Sequence, residues 1–266
     1  FVLVHGLGGH PEDTWTYDPN RLPSGLASLL RRPVAAKVFW PLDLLAPSLP
    51  NVRILAYGYD SDPVHVFDNV SRVSVYQHAS NLLQDLARDD ERVEEPDRPI
   101  IWCVHSLGGI LTKQLLALSS DAEYKPRLRS ILPATHAIMF FGTPHRGSDW
   151  AGFLKRVTIL AAGRREDRVL RALSVNSESL ENLMDRFANM LKGNKFQVHT
   201  FLEGKSVTDI VEEFSAIIGD AAEERYTLDA DHRSMVKYSG VDDPNYDRAF
   251  KVVRDFVREI QRTHEG

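Results

Sequence analysis

The stretch PIIWCVHSLGGILTKQLL, residues 99–116, decides the fold. Its first half is almost continuously apolar and reads as a buried strand, while Leu107, Ile110, Leu111 and Leu115 fall on one face of a following helix. Ser106 sits at the junction. A nucleophilic serine at such a strand-to-helix turn usually has glycines two residues before and two after it, so that the backbone can fold back tightly. Gly108 supplies the second, but Val104 occupies the place of the first. A β-branched residue suits the extended strand that ends there, since no positive φ is required of it. Val104 is therefore expected to load the packing and to leave Ser106 able to attack. The alternative is a serine that only caps the helix.

At 266 residues the chain can bury a large core, and one α/β domain spanning 1–266 is expected. A hydrophobic content of 43% and a charged content of 26% are those of a globular protein, and no apolar run is long enough to cross a bilayer. The formal net charge of -5 gives no electrostatic footprint for nucleic acid. Cys103 is the single cysteine and lies in an apolar run, so it reads as inert core, and the lack of a disulfide fits a reducing, cytoplasmic setting. The opening FVLVHG reads as the middle of a buried strand without a signal-peptide pattern, which suggests an excerpt of a longer protein.

Working outward, short apolar runs recur at 1–6, 52–59, 99–106, 136–143, 195–203 and 209–217. Helical patterns separate several of them, and one closes the chain in YDRAFKVVRDFVREIQ. Continuous apolar strands alternating with helices predict a doubly wound, mostly parallel sheet of about six strands covered on both faces. Two insertions interrupt the plan. Residues 18–50 read as loop and short helix, and residues 148–194 as a helical lid that enters after the fourth run.

The first run ends in His5-Gly6-Leu7-Gly8-Gly9, whose glycines let backbone N–H groups turn toward an oxyanion. The Leu7 N–H is the first candidate donor, and that of Leu107, immediately after the serine, is the second. A dinucleotide loop is disfavoured because Pro11 stands where the third glycine of GxGxxG belongs. Among ten histidines, His232 in TLDADHRSMVKY follows the last strand and precedes the last helix, where α/β-hydrolases keep the base. His5, His105 and His145 are expected to line the site. The acid should leave the strand before the last, and KFQVHTFLEG ends in Glu203. Asp209 begins the next run and is the rival; Asp231 is expected to make local turn hydrogen bonds. No HExxH or cysteine cluster calls for a metal, and no cofactor is implied.

Together LVHGLGGH, RILAYGYDS, CVHSLGGILTKQ, MFFGTPHRGSD, FLEG and DHRSMVKY resemble the serine-active-site-containing, lipase-like branch of the α/β-hydrolases, related to GPI inositol-deacylases. The chain looks especially like the N-terminal hydrolase domain of fungal multidomain proteins that carry a nucleotide-binding switch downstream. This branch commonly replaces the first glycine of the serine motif by a larger residue, as Val104 does here. The resemblance implies a carboxylic-ester or lipid substrate, catalytic Ser106 and His232, and an acid matching Glu203; downstream domains are a further expectation, and the chain leaves room for peripheral membrane contact. The competing class is a binding or signalling module with little or no turnover.

Overall fold

The computed structural model describes residues 1–21, 36–62, 72–145, 152–153, 155–157, 159, 177–194, 196–205, 218 and 223–265. Within them the chain forms a six-stranded, all-parallel sheet. Its strands are β1 (Val2–Val4), β2 (Leu55–Tyr57), β3 (Ile100–His105), β4 (Thr135–Phe141), β5 (Gln197–Glu203) and β6 (Glu223–Leu228), in the order β2-β1-β3-β4-β5-β6. The main helices are α1 (Arg72–Arg88), α2 (Leu107–Ser120), α3 (Ser177–Asn194) and α4 (Pro244–Glu265).

Side chains alternate across a strand, and here both sets are apolar because both faces are covered. Val2, Val4, Trp102, Val104, Ile138, Phe140 and Val198 join the core built by α1, α2 and α3. Leu3, Ile101, Cys103, Met139, Phe141 and Phe201 join the opposite core, where α4 contributes Ala249, Val253 and Phe256. Trp15 and Trp40, on either side of a short antiparallel ribbon pairing Thr16–Tyr17 with Val38–Phe39, complete that second core. The Trp40 indole N–H donates to the Val236 carbonyl at 3.0 Å, satisfying its one polar atom inside the layer.

The sixth strand differs from the expectation. The strand paired with β5 is Glu223–Leu228, whereas the run at 209–217 lies outside the described residues, as does Asp209. As the sheet's edge, β6 is buried only at its two ends, so its sequence EERYTL is polar and carries no apolar signal. Of the expected lid, residues 148–151, 154, 158 and 160–176 lie outside the described residues. Leu183, Phe187, Met190 and Leu191 of α3 are buried in the core beside α2, so this part of 148–194 belongs to the helical layer.

The strand order places a topological switch between β1 and β3. The chain leaves β1 toward β2 on one side and resumes at β3 on the other, so the two loops at the carboxyl ends of β1 and β3 part and open a crevice. The glycine loop and Ser106 face each other across it.

Candidate active site

Ser106 follows β3 with φ 55° and ψ -124°, and among the described residues it is the one non-glycine residue with positive φ. Such a conformation costs roughly 1–3 kcal/mol and is held by its surroundings. The Ser106 N–H donates to the Phe141 carbonyl at 2.9 Å, and the Ser106 carbonyl accepts from Thr143 Oγ1 at 3.1 Å. Both contacts pin the turn to the end of β4. The serine side chain makes no capping hydrogen bond to α2, so the helix-cap alternative is not what the geometry shows.

Two glycines make the turn fit. A Cβ at Gly108 would collide with the Val4 carbonyl oxygen and lie 2.5 Å from that of His5. A Cβ at Gly6 would lie 2.6 Å from Ser106 Cβ. The close approach of β1 to the nucleophile turn is thus met by Gly6 and Gly108. Val104, paired with Val4 and Phe140 and fully buried, packs into the core built by α1, α2 and α3.

The three residues expected to act together are brought together. His232 Nε2 lies 3.0 Å from Ser106 Oγ, and His232 Nδ1 lies 2.7 Å from Glu203 Oε1. A carboxylate can only accept, so Nδ1 carries the proton and Nε2 accepts from the serine hydroxyl. Burial drives the His232 imidazole well below its ordinary 6.5, which keeps the ring unprotonated at neutral pH with Nε2 free to accept the serine proton. Asp231, the neighbour in sequence, turns away: its Oδ1 accepts from the N–H groups of Arg233 at 2.9 Å and Ser234 at 2.8 Å.

The glycine loop is clamped from the segment that follows β2. The Gly8 N–H donates to the Ser61 carbonyl at 2.7 Å, and Ser61 Oγ donates to the Gly9 carbonyl at 2.8 Å. Among the described residues, the Leu7 and Leu107 N–H groups donate to no carbonyl. A cavity of about 360 Å³ is lined by Gly6, Leu7, His105, Ser106, Val157 and His232, among others.

Of the three further histidines, His105 lines this cavity, whereas His5 and His145 do not. His5 stacks on Tyr59, ring centroids 4.4 Å apart, and its Nδ1 donates to the Gly6 carbonyl at 3.0 Å. His145 is buried against Lys113 and Phe140 instead of forming the site floor. Sequence reading missed Ser61 and Phe153. The Phe153 ring stands edge-on to the His232 ring at 6.4 Å, and nothing in its local pattern marks it. No metal-binding group of three or more His, Cys, Asp or Glu residues, and no helix long and apolar enough to cross a membrane, occurs among the described residues.

A parallel sheet that delivers a serine, a histidine and a carboxylate from separate strand ends to one point is an architecture shared by many hydrolases. The chain belongs to the alpha/beta hydrolase family, whose model matches residues 1–205. It is 30% identical over 267 residues to Protein SERAC1 of Danio rerio, covering 96% of this chain and 38% of that protein. To Protein SERAC1 of Homo sapiens it is 28% identical, covering 76% and 30% respectively. The chain thus spans under two-fifths of the length of these relatives. Among solved structures, the mature lipase BlEst2 of Bacillus licheniformis superposes with a TM-score of 0.52 at 18% identity, covering 88% of this chain and 85% of that one.

Proposed function

We propose that the protein is a serine hydrolase of carboxylic esters, lipid-like acyl esters in particular, working through an acyl-enzyme. The observation that carries this reading is the continuous hydrogen-bonded line from Glu203 Oε1 through His232 to Ser106 Oγ. In the first step Ser106 Oγ attacks the ester carbonyl while His232 Nε2 takes its proton, and the Glu203 carboxylate stabilises the imidazolium through Nδ1–H. The Leu7 and Leu107 N–H groups receive the developing oxyanion, the latter from the positive end of α2. His232 then returns its proton to the leaving alcohol as the C–O bond breaks. A water molecule, deprotonated by the same nitrogen, attacks the acyl-enzyme and releases the acid.

Apolar Val157 beside the cavity and Phe153 against His232 support an acyl chain as part of the substrate. Those two residues are the part of the 148–194 segment that would act as a lid, and an ester held in a membrane surface is the setting such a lid serves. The test is labelling by a fluorophosphonate, followed by turnover of esters of increasing chain length. Wild-type protein should label and hydrolyse; Ser106→Ala should do neither. Undiminished turnover by Ser106→Ala would overturn the proposal.

A further inference from the structure

His105 precedes the nucleophile and plays no part in the proton transfers above, yet it touches the base. Its Nε2 lies 2.7 Å from the backbone carbonyl oxygen of His232, and the two imidazole rings are 4.8 Å apart. A carbonyl oxygen only accepts, so His105 holds the tautomer with the proton on Nε2 and donates it. The ring is buried, with 8% of its surface exposed, and burial together with the neighbouring His232 keeps it in the neutral form. Adjacent residues at the end of one strand therefore grip the same histidine in two places. Ser106 meets its Nε2, and His105 ties down its main chain.

This matters because the loop that carries His232 is anchored to the end of β5, the Gly204 and Lys205 N–H groups donating to the Ala230 carbonyl at 3.2 and 3.1 Å, and its distance from β3 needs a separate tie. It runs from the end of β6 at Leu228 to the short 3-10 turn Ser234–Val236. Within it the Asp231 carboxylate closes a local turn, which sets the loop's shape but not its distance from β3. The His105 contact joins positions 127 residues apart and spans that gap. We infer that His105 is a positioning residue: its Nε2–H, held on the His232 carbonyl, sets the distance and angle at which the base meets Ser106. The inference rests on the serine-hydrolase reading for its kinetic consequence, but the positional claim stands on the contact alone.

Two variants separate the hydrogen bond from simple filling of space. His105→Gln keeps an amide N–H at nearly the reach of Nε2, whereas His105→Met fills similar volume without a donor. Both would be assayed for fluorophosphonate labelling rate, for kcat and KM on a short ester, and by the strongly deshielded ¹H resonance of His232 Nδ1–H bonded to Glu203. The Met variant should label about tenfold to a hundredfold more slowly, as small misplacements of reacting groups do, with the loss in kcat and little in KM. Its deshielded proton should shift or broaden, and the Gln variant should restore the wild-type signal and most of the rate.

A Met variant that labels at the wild-type rate with an unshifted proton would overturn the inference. So would a Gln variant as impaired as the Met one. Should the Met variant fail to fold, His105→Asn takes its place, its amide being too short to reach, and wild-type behaviour from that protein would equally overturn the inference. If wild-type protein shows no labelling but the proton shifts in Met and returns in Gln, the positioning stands and the hydrolase reading falls.

Discussion

Lys113 Nζ lies 2.8 Å from His145 Nδ1, with both side chains sealed inside the protein. Among the described residues no carboxylate touches Lys113 Nζ; its other neighbours are Met184 Sδ at 3.1 Å and the faces of Phe140 and Phe187. Burial accordingly drives the Lys113 amine well below its ordinary 10.5 and His145 well below 6.5, and each cation would further oppose the other. The pair ties α2, which starts at the nucleophile, to the loop after β4 and to α3. Among the described residues, His145 Nε2 has no hydrogen-bond partner.

Removing one member strands the other. Lys113→Met and His145→Leu should each destabilise the fold by about 1–3 kcal/mol, the cost of an unsatisfied buried polar group. The double variant should lose less than the sum by more than about 1 kcal/mol, since nothing polar then remains to be stranded. Urea unfolding of the four proteins measures the coupling, and strict additivity would show that the two side chains do not interact.

Glu203→Gln keeps the shape of the side chain and removes its charge. It should lower kcat on an ester by about 10² to 10⁴ with little change in Tm. Asp231→Asn should cost far less, because that carboxylate serves the Arg233 and Ser234 N–H groups of its own turn. The two variants measured on one substrate decide between the carboxylates.

The base is neutral far into acid. Because burial lowers the His232 pKa, the acid limb of kcat/KM should fall below pH 6.5, where an ordinary histidine would set it. Stability behaves differently. Burial lowers His5 and His199 to about 4, and lowers His105, His145 and His232 as well. These groups protonate first in the unfolded chain, so stability is full above pH 6.5 and is lost as pH falls toward their folded values. Each contributes up to about 1.4 kcal/mol per pH unit in that window. Tm measured from pH 7 down to pH 5 should therefore drop while kcat/KM at low temperature holds.

Val104 and Gly108 flank Ser106 and should respond oppositely to exchange. Val104→Gly restores the commoner motif but empties a buried site, so it should cost about 2–4 kcal/mol of stability with turnover per folded molecule preserved. Gly108→Ala forces a Cβ onto the carbonyls of Val4 and His5 and should give little folded protein. Expression yield, Tm and active-site titration together distinguish the two outcomes.

Much of this arrangement was legible because the physics involved is local. A strand covered on both faces must be apolar throughout, so β1, β3, β4 and β5 announce themselves, and a strand end fixes where Ser106 and Glu203 emerge. Among the described residues the edge strand β6 has no second neighbour to demand apolar side chains, so EERYTL carries no apolar signal and the more apolar run at 209–217 reads as the strand instead. The roles of His145 and His105 depend on partners 32 and 127 residues away, and no spacing rule connects such positions. Lys113 stands beside Thr112 and Gln114 on α2 and reads more readily as a solvated residue than as half of a buried pair.

Cys103, the single cysteine of the chain, is fully buried in β3, and burial holds its thiol well above the ordinary range. Native protein should thus be silent toward maleimide reagents. One thiol introduced at Ile159, which is 39% exposed and on the segment that brings Phe153 and Val157 to the site, would carry a fluorescent or spin probe with almost no background. The entry of an ester could then be followed in real time without altering any side chain of the reaction centre.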